Sequence, residues 1–325
     1  MNTEWKKNNV YISILISFIF TTILFSCKKG NDNNPPLIPV PADTLTTGWS
    51  KTSTGINSAI LDVFFINNSD GLAVNAGNNV YKSSNGGASW QKIYTSAAYL
   101  INIGMSSPSH AIVVGSNNRI LVTRNGGASF DSATLTDPAL FDIFCLNSNV
   151  AFAIGQYFWK TTDGGSNWIR GTDFGSSGKA ISFIDAMTGW AAGNFGLKKT
   201  TDGGITWQTV NISPLGGASI LSMQFADINK GYFTIDLTSA KTINGGASWS
   251  ILHNMEINGF HDVQFLNDNI GYLTDGRYIV KTTDGGSTWQ IVMRLGEGIF
   301  FELHFTDSNH GWAGSSTGAI FRYLQ

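Results

Sequence analysis

The chain has 325 residues, 42% of them hydrophobic, 12% aromatic and only 13% charged, with a formal net charge of −2. That hydrophobic content excludes intrinsic disorder, and a charge balance this even leaves no clustered basic face for nucleic acid. The 37 glycines show no three-residue period, which excludes collagen and fits many short strands joined by tight turns.

The first segment reads as an address. Lys6 and Lys7 precede an uncharged, largely apolar run from Val10 to Phe25, with Ser26-Cys27 behind it. A basic start, a run of about 16 residues and a small residue at its end describe a secretory signal over residues 1–26. The run is shorter than the roughly 20 apolar residues of a membrane helix. Leu24-Phe25-Ser26-Cys27 resembles the lipobox of bacterial lipoproteins, which implies a lipidated Cys27. Residues 27–47 hold four of the seven prolines and no periodic apolar face. They read as a tether, about 60 Å long if extended at about 3.1 Å per residue. The expectation is an exported lipoprotein of a bacterial outer membrane, at its periplasmic face or at the cell surface. Cys145, the other cysteine, lies in an apolar strand and reads as a core residue.

A repeat governs the rest. Six turns carry Asn or Asp followed by Gly-Gly: Asn85, Asn125, Asp163, Asp202, Asn244 and Asp284. Each ends on an aromatic, from Trp90 and Phe130 through Trp168, Trp207 and Trp249 to Trp289, about 40 residues apart. A second signature, an aromatic followed six residues on by Gly, starts at Phe65, Phe183, Phe225, Phe265 and Phe305, with degenerate copies from Met105 and Cys145. Seven copies stand against six turns. The ends explain the mismatch: the segment from Gly48 looks like a strand leaving a turn, and the segment from Gly318 like a strand entering one. A repeat of this length carrying four strands is a propeller blade. Residues 48–325 therefore predict an all-β, single seven-bladed propeller, monomeric, with its two ends sharing the last blade.

The turn has a mechanical reading. Its Asn or Asp accepts backbone N–H groups, Gly-Gly supplies positive φ, and the aromatic fills the wedge between blades. These residues resemble the Asp-box (BNR) motif of sialidases, xyloglucanases, sortilins and the photosystem II stability/assembly factor family, the last most of all. The resemblance spans about 275 residues. It implies a propeller and, from the assembly factors, a protein partner; it does not imply one activity, because boxes lie away from active sites.

In a blade of strands A to D, the box turn between C and D faces one side of the disc. The B–C and D–A loops face the other, where functional residues belong. Aligned A strands share a column: Asp62, Asn102, Asp142, Ala180, Ser222, Asp262 and Glu302. Blades six, seven and one put Asp262, Glu302 and Asp62 side by side, with His261 and His304 close in sequence. Such carboxyls can hold a cation, bind sugar hydroxyls or act as an acid/base pair; alternatively they bond the backbone of neighbouring blades. Loop residues including Arg119, Tyr157, Phe158, Phe195, Asp236, Asp275, Arg277 and Tyr278 suit sugar or protein recognition. The ligand-binding candidates are Asp62, Asp142, Asp262, Glu302, His261, Arg119, Arg277 and Tyr278. A sialidase arginine triad is not supplied by the few arginines, and no zinc spacing, phosphate loop or nucleophile elbow appears. No metal and no cofactor are implied. The reading is a non-catalytic, membrane-anchored platform presenting its loop face to a protein or glycan at the cell surface. The alternative is a glycoside hydrolase using Asp62, Asp262 and Glu302.

Overall fold

The computed structural model describes residues 48–52, 54–117, 119–136, 138–175, 178–213, 215, 219–235, 237–254 and 262–325. The signal, Cys27 and the tether lie outside the described residues. Seven antiparallel four-stranded sheets are present. Blade 1 takes its strands A to D from Ile60–Phe65, Gly71–Asn75, Asn79–Ser83 and Gln91–Thr95, and the next five blades come in chain order. The seventh takes A, B and C from Phe300–Asp307, His310–Ser315 and Ile320–Leu324, and D from Trp49–Thr52. Trp49 opposes Tyr323 and Thr52 opposes Ile320, so the two ends close one blade. Each A strand packs against the next around the whole ring, blade 7 against blade 1 included.

Burial explains the strand compositions. The B strands are buried along their length, since a blade covers each face, and they read as continuous apolar runs such as AIVVG and AFAIG. The outer D strands, QKIYT for example, are mostly exposed or half-buried and polar. The second signature has a steric cause. Phe65 opposes Gly71 across the A–B hairpin, and a Cβ on Gly71 would lie 2.6 Å from the Phe65 ring. The bare glycine lets the ring lie flat and stack on Trp312 of the preceding blade, at 3.6 Å between centroids and 7° between planes. Phe183 on Phe152, Phe225 on Trp190, Phe265 on Tyr232 and Phe305 on Tyr272 repeat the stack at 3.6 to 3.9 Å. In blades 2 and 3 both partners change together: Met105 opposes Ala111 and Cys145 opposes Ala151. Cys145 is half-buried there among apolar neighbours, and burial pushes its thiol up to about 12.

The box aromatic lies between blades, as expected, and shares that space with the A-strand Phe. Trp207 meets Phe158 of blade 3 as well as Phe183 of its own blade, and Trp289 bonds Leu252 O of blade 5. The box Trp stands edge-on against the A-strand Phe, as Trp90 does on Phe65 and Trp249 on Phe225. Trp49 takes the seventh such place, edge-on to Phe305 at 6.1 Å and 86°.

Candidate functional site

The box turns are built from paired hydroxyl and carboxylate bonds. In blade 4 Asp202 Oδ1 accepts the Thr206 N–H at 2.9 Å and the Thr200 hydroxyl at 2.7 Å. Thr200 Oγ1 in turn accepts the Gly204 N–H at 2.9 Å. Asp163 and Asp284 repeat the pattern, while Asn85, Asn125 and Asn244 keep the accepting oxygen and donate their Nδ2 to a serine hydroxyl. The first glycine docks the box on the A–B turn of its own blade, Gly203 N–H bonding Met187 O at 2.8 Å. Strand C of one blade then reaches the next blade's box: Lys82 Nζ donates to Gly126 O at 2.7 Å and Lys241 Nζ to Gly285 O at 2.6 Å. Blade 2 has Val122 at the place of those lysines, and Arg124 bonds Gly164 O instead. Cations that look scattered in sequence are thus fasteners between blades.

At the opposite end of the ring every A strand with a described start carries a register shift just before the acidic column. It falls between Ile60 and Asp62, Leu100 and Asn102, Leu140 and Asp142, Gly178 and Ala180, Ile220 and Ser222, and Phe300 and Glu302. Such bulges re-aim the adjoining side chain. Here they turn it toward the next blade. Asp62 Oδ2 accepts the Ile103 N–H at 2.6 Å, Asp142 Oδ2 that of Ile181 at 2.7 Å and Asp262 Oδ2 that of Leu303 at 3.2 Å. Ser222 Oγ also donates to Asp262 Oδ1. Two residues further along, Gln224 and Gln264 each clamp the next blade's Phe by both its N–H and its carbonyl. His304 Nε2 donates to Phe65 O at 2.7 Å across the blade 7–blade 1 junction.

Dehydration dominates the electrostatics of this end. Burial pushes Asp62 up to about 8 and Asp142 up to about 6 against the pull of their N–H bonds, with nearby carboxylates adding to the rise. Glu302 is held well above the usual range by burial and by the charges of Asp262 and Asp62. Burial drives the His304 imidazole down to about 4, so it is neutral at physiological pH.

The structure therefore places Asp62, Asp142, Asp262 and Glu302 at one level of the ring. Among the described residues no hydrogen bond or ion pair joins Arg119, Arg277 or Tyr278 to them. Arg119 and Tyr278 open the C strands of blades 2 and 6, Arg277 lies in a B–C turn, and the Arg294 guanidinium lies 5.9 Å from the Tyr278 ring centre. Phe158, expected in a loop, is buried in a C strand, and Asp275 is buried at a strand end against His253. His261 and Asp236 lie outside the described residues. Sequence reasoning missed the bulge residues that immediately precede the column: half-buried Leu61, Ile101, Phe141, Lys179 and Leu221, with Phe301 more deeply covered. Lys179 Nζ sits 4.3 Å over the Phe141 ring, and burial lowers its pKa. The signal was available one position before the acids, as a nearly uniform apolar column. Among the described residues no group of three His, Cys, Asp or Glu is arranged to hold a metal ion, and no helix is long and apolar enough to cross a membrane.

No family model matches the chain, and no curated protein does. Solved propellers superpose on it. YCF48 bound to a D1 peptide aligns with a TM-score of 0.73 at 20% identity, over 90% of this chain and 99% of that one. YCF48 from Cyanidioschyzon merolae gives 0.69 at 19%, over 86% and 99%. An ancestral GH74 enzyme gives 0.68 at 16%, over 85% of this chain but 46% of its own. These likenesses show the fold alone. Function has to come from the site.

Proposed function

We propose that this chain is a membrane-tethered, non-catalytic platform whose B–C and D–A loop face binds a protein partner. One observation carries the reading: Asp62, Asp142 and Asp262 at that end are engaged in bonds between blades, and beside them lies an apolar collar. Leu61, Ile101, Phe141 and Leu221 offer partly exposed apolar surface around the ring, with Lys179 among them and Tyr99 and Leu237 exposed on the loops outside. Apolar anchors among a few polar groups suit a peptide better than a sugar. The closed ring holds them in place, so little ordering is required on binding. The likeness to a propeller solved with a bound peptide supports a protein partner. The apolar run before Cys27 supports a lipid anchor and an outer-membrane location.

The hydrolase reading fits the geometry poorly. A glycosidase needs a free pair of carboxyls, whereas both oxygens of Asp262 are taken up by Ser222, Val263 and Leu303, and Asp62 is bonded to Ile103. The test is capture from solubilised membranes with the intact chain. A protein retained by the wild type and lost from Lys179→Glu/Leu221→Ser supports the platform. Turnover of a polysaccharide that Asp262→Asn/Glu302→Gln abolishes overturns it.

A further inference from the structure

The box end of the disc carries a feature that the platform reading does not use. Exposed aliphatic side chains gather there on two adjacent blades: Met187 is 50% exposed, Ile205 77%, Ile228 41% and Ile243 68%. The repeat supplies its own control. Where blade 5 has Ile243, the other boxes carry Ser84, Arg124, Thr162, Thr201 and Thr283. Where blade 4 has Ile205, the others have only Ala or Ser, and the Met187 position is otherwise Ser or Asn. The Ile228 position elsewhere is Asn, Asp, Ser, Ala or Pro. No packing need explains the change, because the same turns close in the same way without these side chains. Ile169 and Ile251, on the D strands of blades 3 and 5, extend the exposed apolar surface along the adjoining edge.

The four residues lie on one face. Met187 belongs to the A–B turn on which the blade 4 box docks, and its carbonyl accepts the Gly203 N–H. Ile228 occupies the matching turn of blade 5, where the neighbouring Asn229 carbonyl accepts the Gly245 N–H. The same face is where the chain enters the propeller. Gly48 O accepts the Leu324 N–H, and Gln325 N–H bonds Asn309 O in the A–B turn of blade 7. Residues 1–47, with the apolar run from Val10 to Phe25, therefore join the disc at its box end.

We infer that the box face of blades 4 and 5 rests on the lipid surface to which the chain is tethered. Ile205, Ile243, Met187 and Ile228 enter the boundary between headgroups and acyl chains, and the loop face points away toward its partner. Clustered exposed aliphatics mark such contacts, and a second membrane signal turns a weak single anchor into a stable one. Asp185, Asp202 and Asp227 lie among the aliphatics against the cation of Lys160 at Gly203 O, Lys230 being paired with Asp268, so the patch has no basic excess and suits a zwitterionic rather than an anionic surface. The inference rests on the tethered reading of the N-terminal segment.

The test reconstitutes the full chain into phosphatidylcholine vesicles, with an environment-sensitive fluorophore on Ile205→Cys, on Ala88→Cys in the blade 1 box, or on Leu237→Cys at the loop face. The wild-type chain, treated alike, supplies the labelling blank. Flotation reports the tether, and quenching by acyl-chain bromines reports depth. The expected result is at least twofold quenching at 205 and none at 88 or 237, with the quenching at 205 lost when Met187→Asn, Ile228→Ser and Ile243→Thr are added. A chain that floats while the label at 205 stays unquenched overturns the docking and leaves the tether standing. A chain that does not float overturns both. Equal quenching at all three sites, or a spectral shift at 205 that needs no lipid and grows with protein concentration, also overturns it, the latter in favour of a second copy.

Discussion

The two ends of the propeller use the same side chain to opposite effect. At the box end Asp163, Asp202 and Asp284 stand in water and are pulled down to about 2, chiefly by bonds from Asn167, Thr206 and Thr288. At the loop end Asp62 and Asp142 also accept backbone N–H bonds, yet burial lifts them to about 8 and about 6. Donors stabilise the charge at both ends; solvent decides the sign. The consequences for pH run in opposite directions. The box carboxylates contribute stability that is present above about pH 4 and lost as pH falls toward 2. The buried pair does the reverse: with raised folded values, its contribution is complete below about pH 4 and is lost as pH climbs, through about 6 for Asp142 and about 8 for Asp62. The thermal midpoint should therefore peak in mild acid and decline toward pH 8.

The largest expected effect breaks the box sterically. Gly204 has φ +90°, and a Cβ there would lie 2.1 Å from the Phe158 ring. Gly204→Ala should cost about 3 kcal/mol, since backbone strain adds to overpacking. Denaturant midpoints measure it, and a cost under about 0.5 kcal/mol would mean that the box is not seated against the neighbouring blade. Next comes the loop end. Asp62→Ala leaves the Ile103 N–H buried without its partner and should cost about 1 to 3 kcal/mol. Asp62→Asn keeps an accepting oxygen and removes the charge. It should raise the midpoint at pH 8 and leave it unchanged near pH 4, which separates dehydration from the hydrogen bond. An Asp62→Asn chain with the wild-type pH profile would place the alkaline loss elsewhere.

How far these ends were legible in the sequence depends on whether a contact repeats. Seven blades and the shared last one came from spacing, because each box is a local structure with a local signature, and Trp49 could be matched to Trp90 by its neighbours alone. The acidic column was legible as an alignment. Its use was not, because the partner of Asp62 is the backbone of Ile103, which any residue provides. The bulge at Ile60–Asp62 is likewise a backbone event: the apolar column at the bulged position is visible in the alignment, but nothing in it announces the irregular pairing. Lys82 and Lys241 were visible as cations but not as inter-blade donors, since the carbonyls they meet, those of Gly126 and Gly285, belong to the next repeat. Their contribution is measurable: Lys241→Met should cost about 1 kcal/mol, the net worth of one such bond, and no more at high salt than at low.

The smallest effect is the most discriminating between the two ends. Asp202→Asn installs the residue that Asn244 already provides one blade on, where Oδ1 accepts the Ser248 N–H at 2.9 Å and Nδ2 donates to the Ser248 hydroxyl at 2.8 Å. In blade 4 the Thr206 hydroxyl can rotate from donor to acceptor and restore the same pair of bonds. Neutral-pH stability should therefore barely change. The response to acid does change: the wild-type box loses its contribution as pH falls through the depressed value of Asp202, whereas an amide has no proton to take up. Thermal midpoints at pH 7 and pH 3 should lie closer together in Asp202→Asn than in the wild type. The midpoint at pH 8, governed by the buried acids of the other end, should not move.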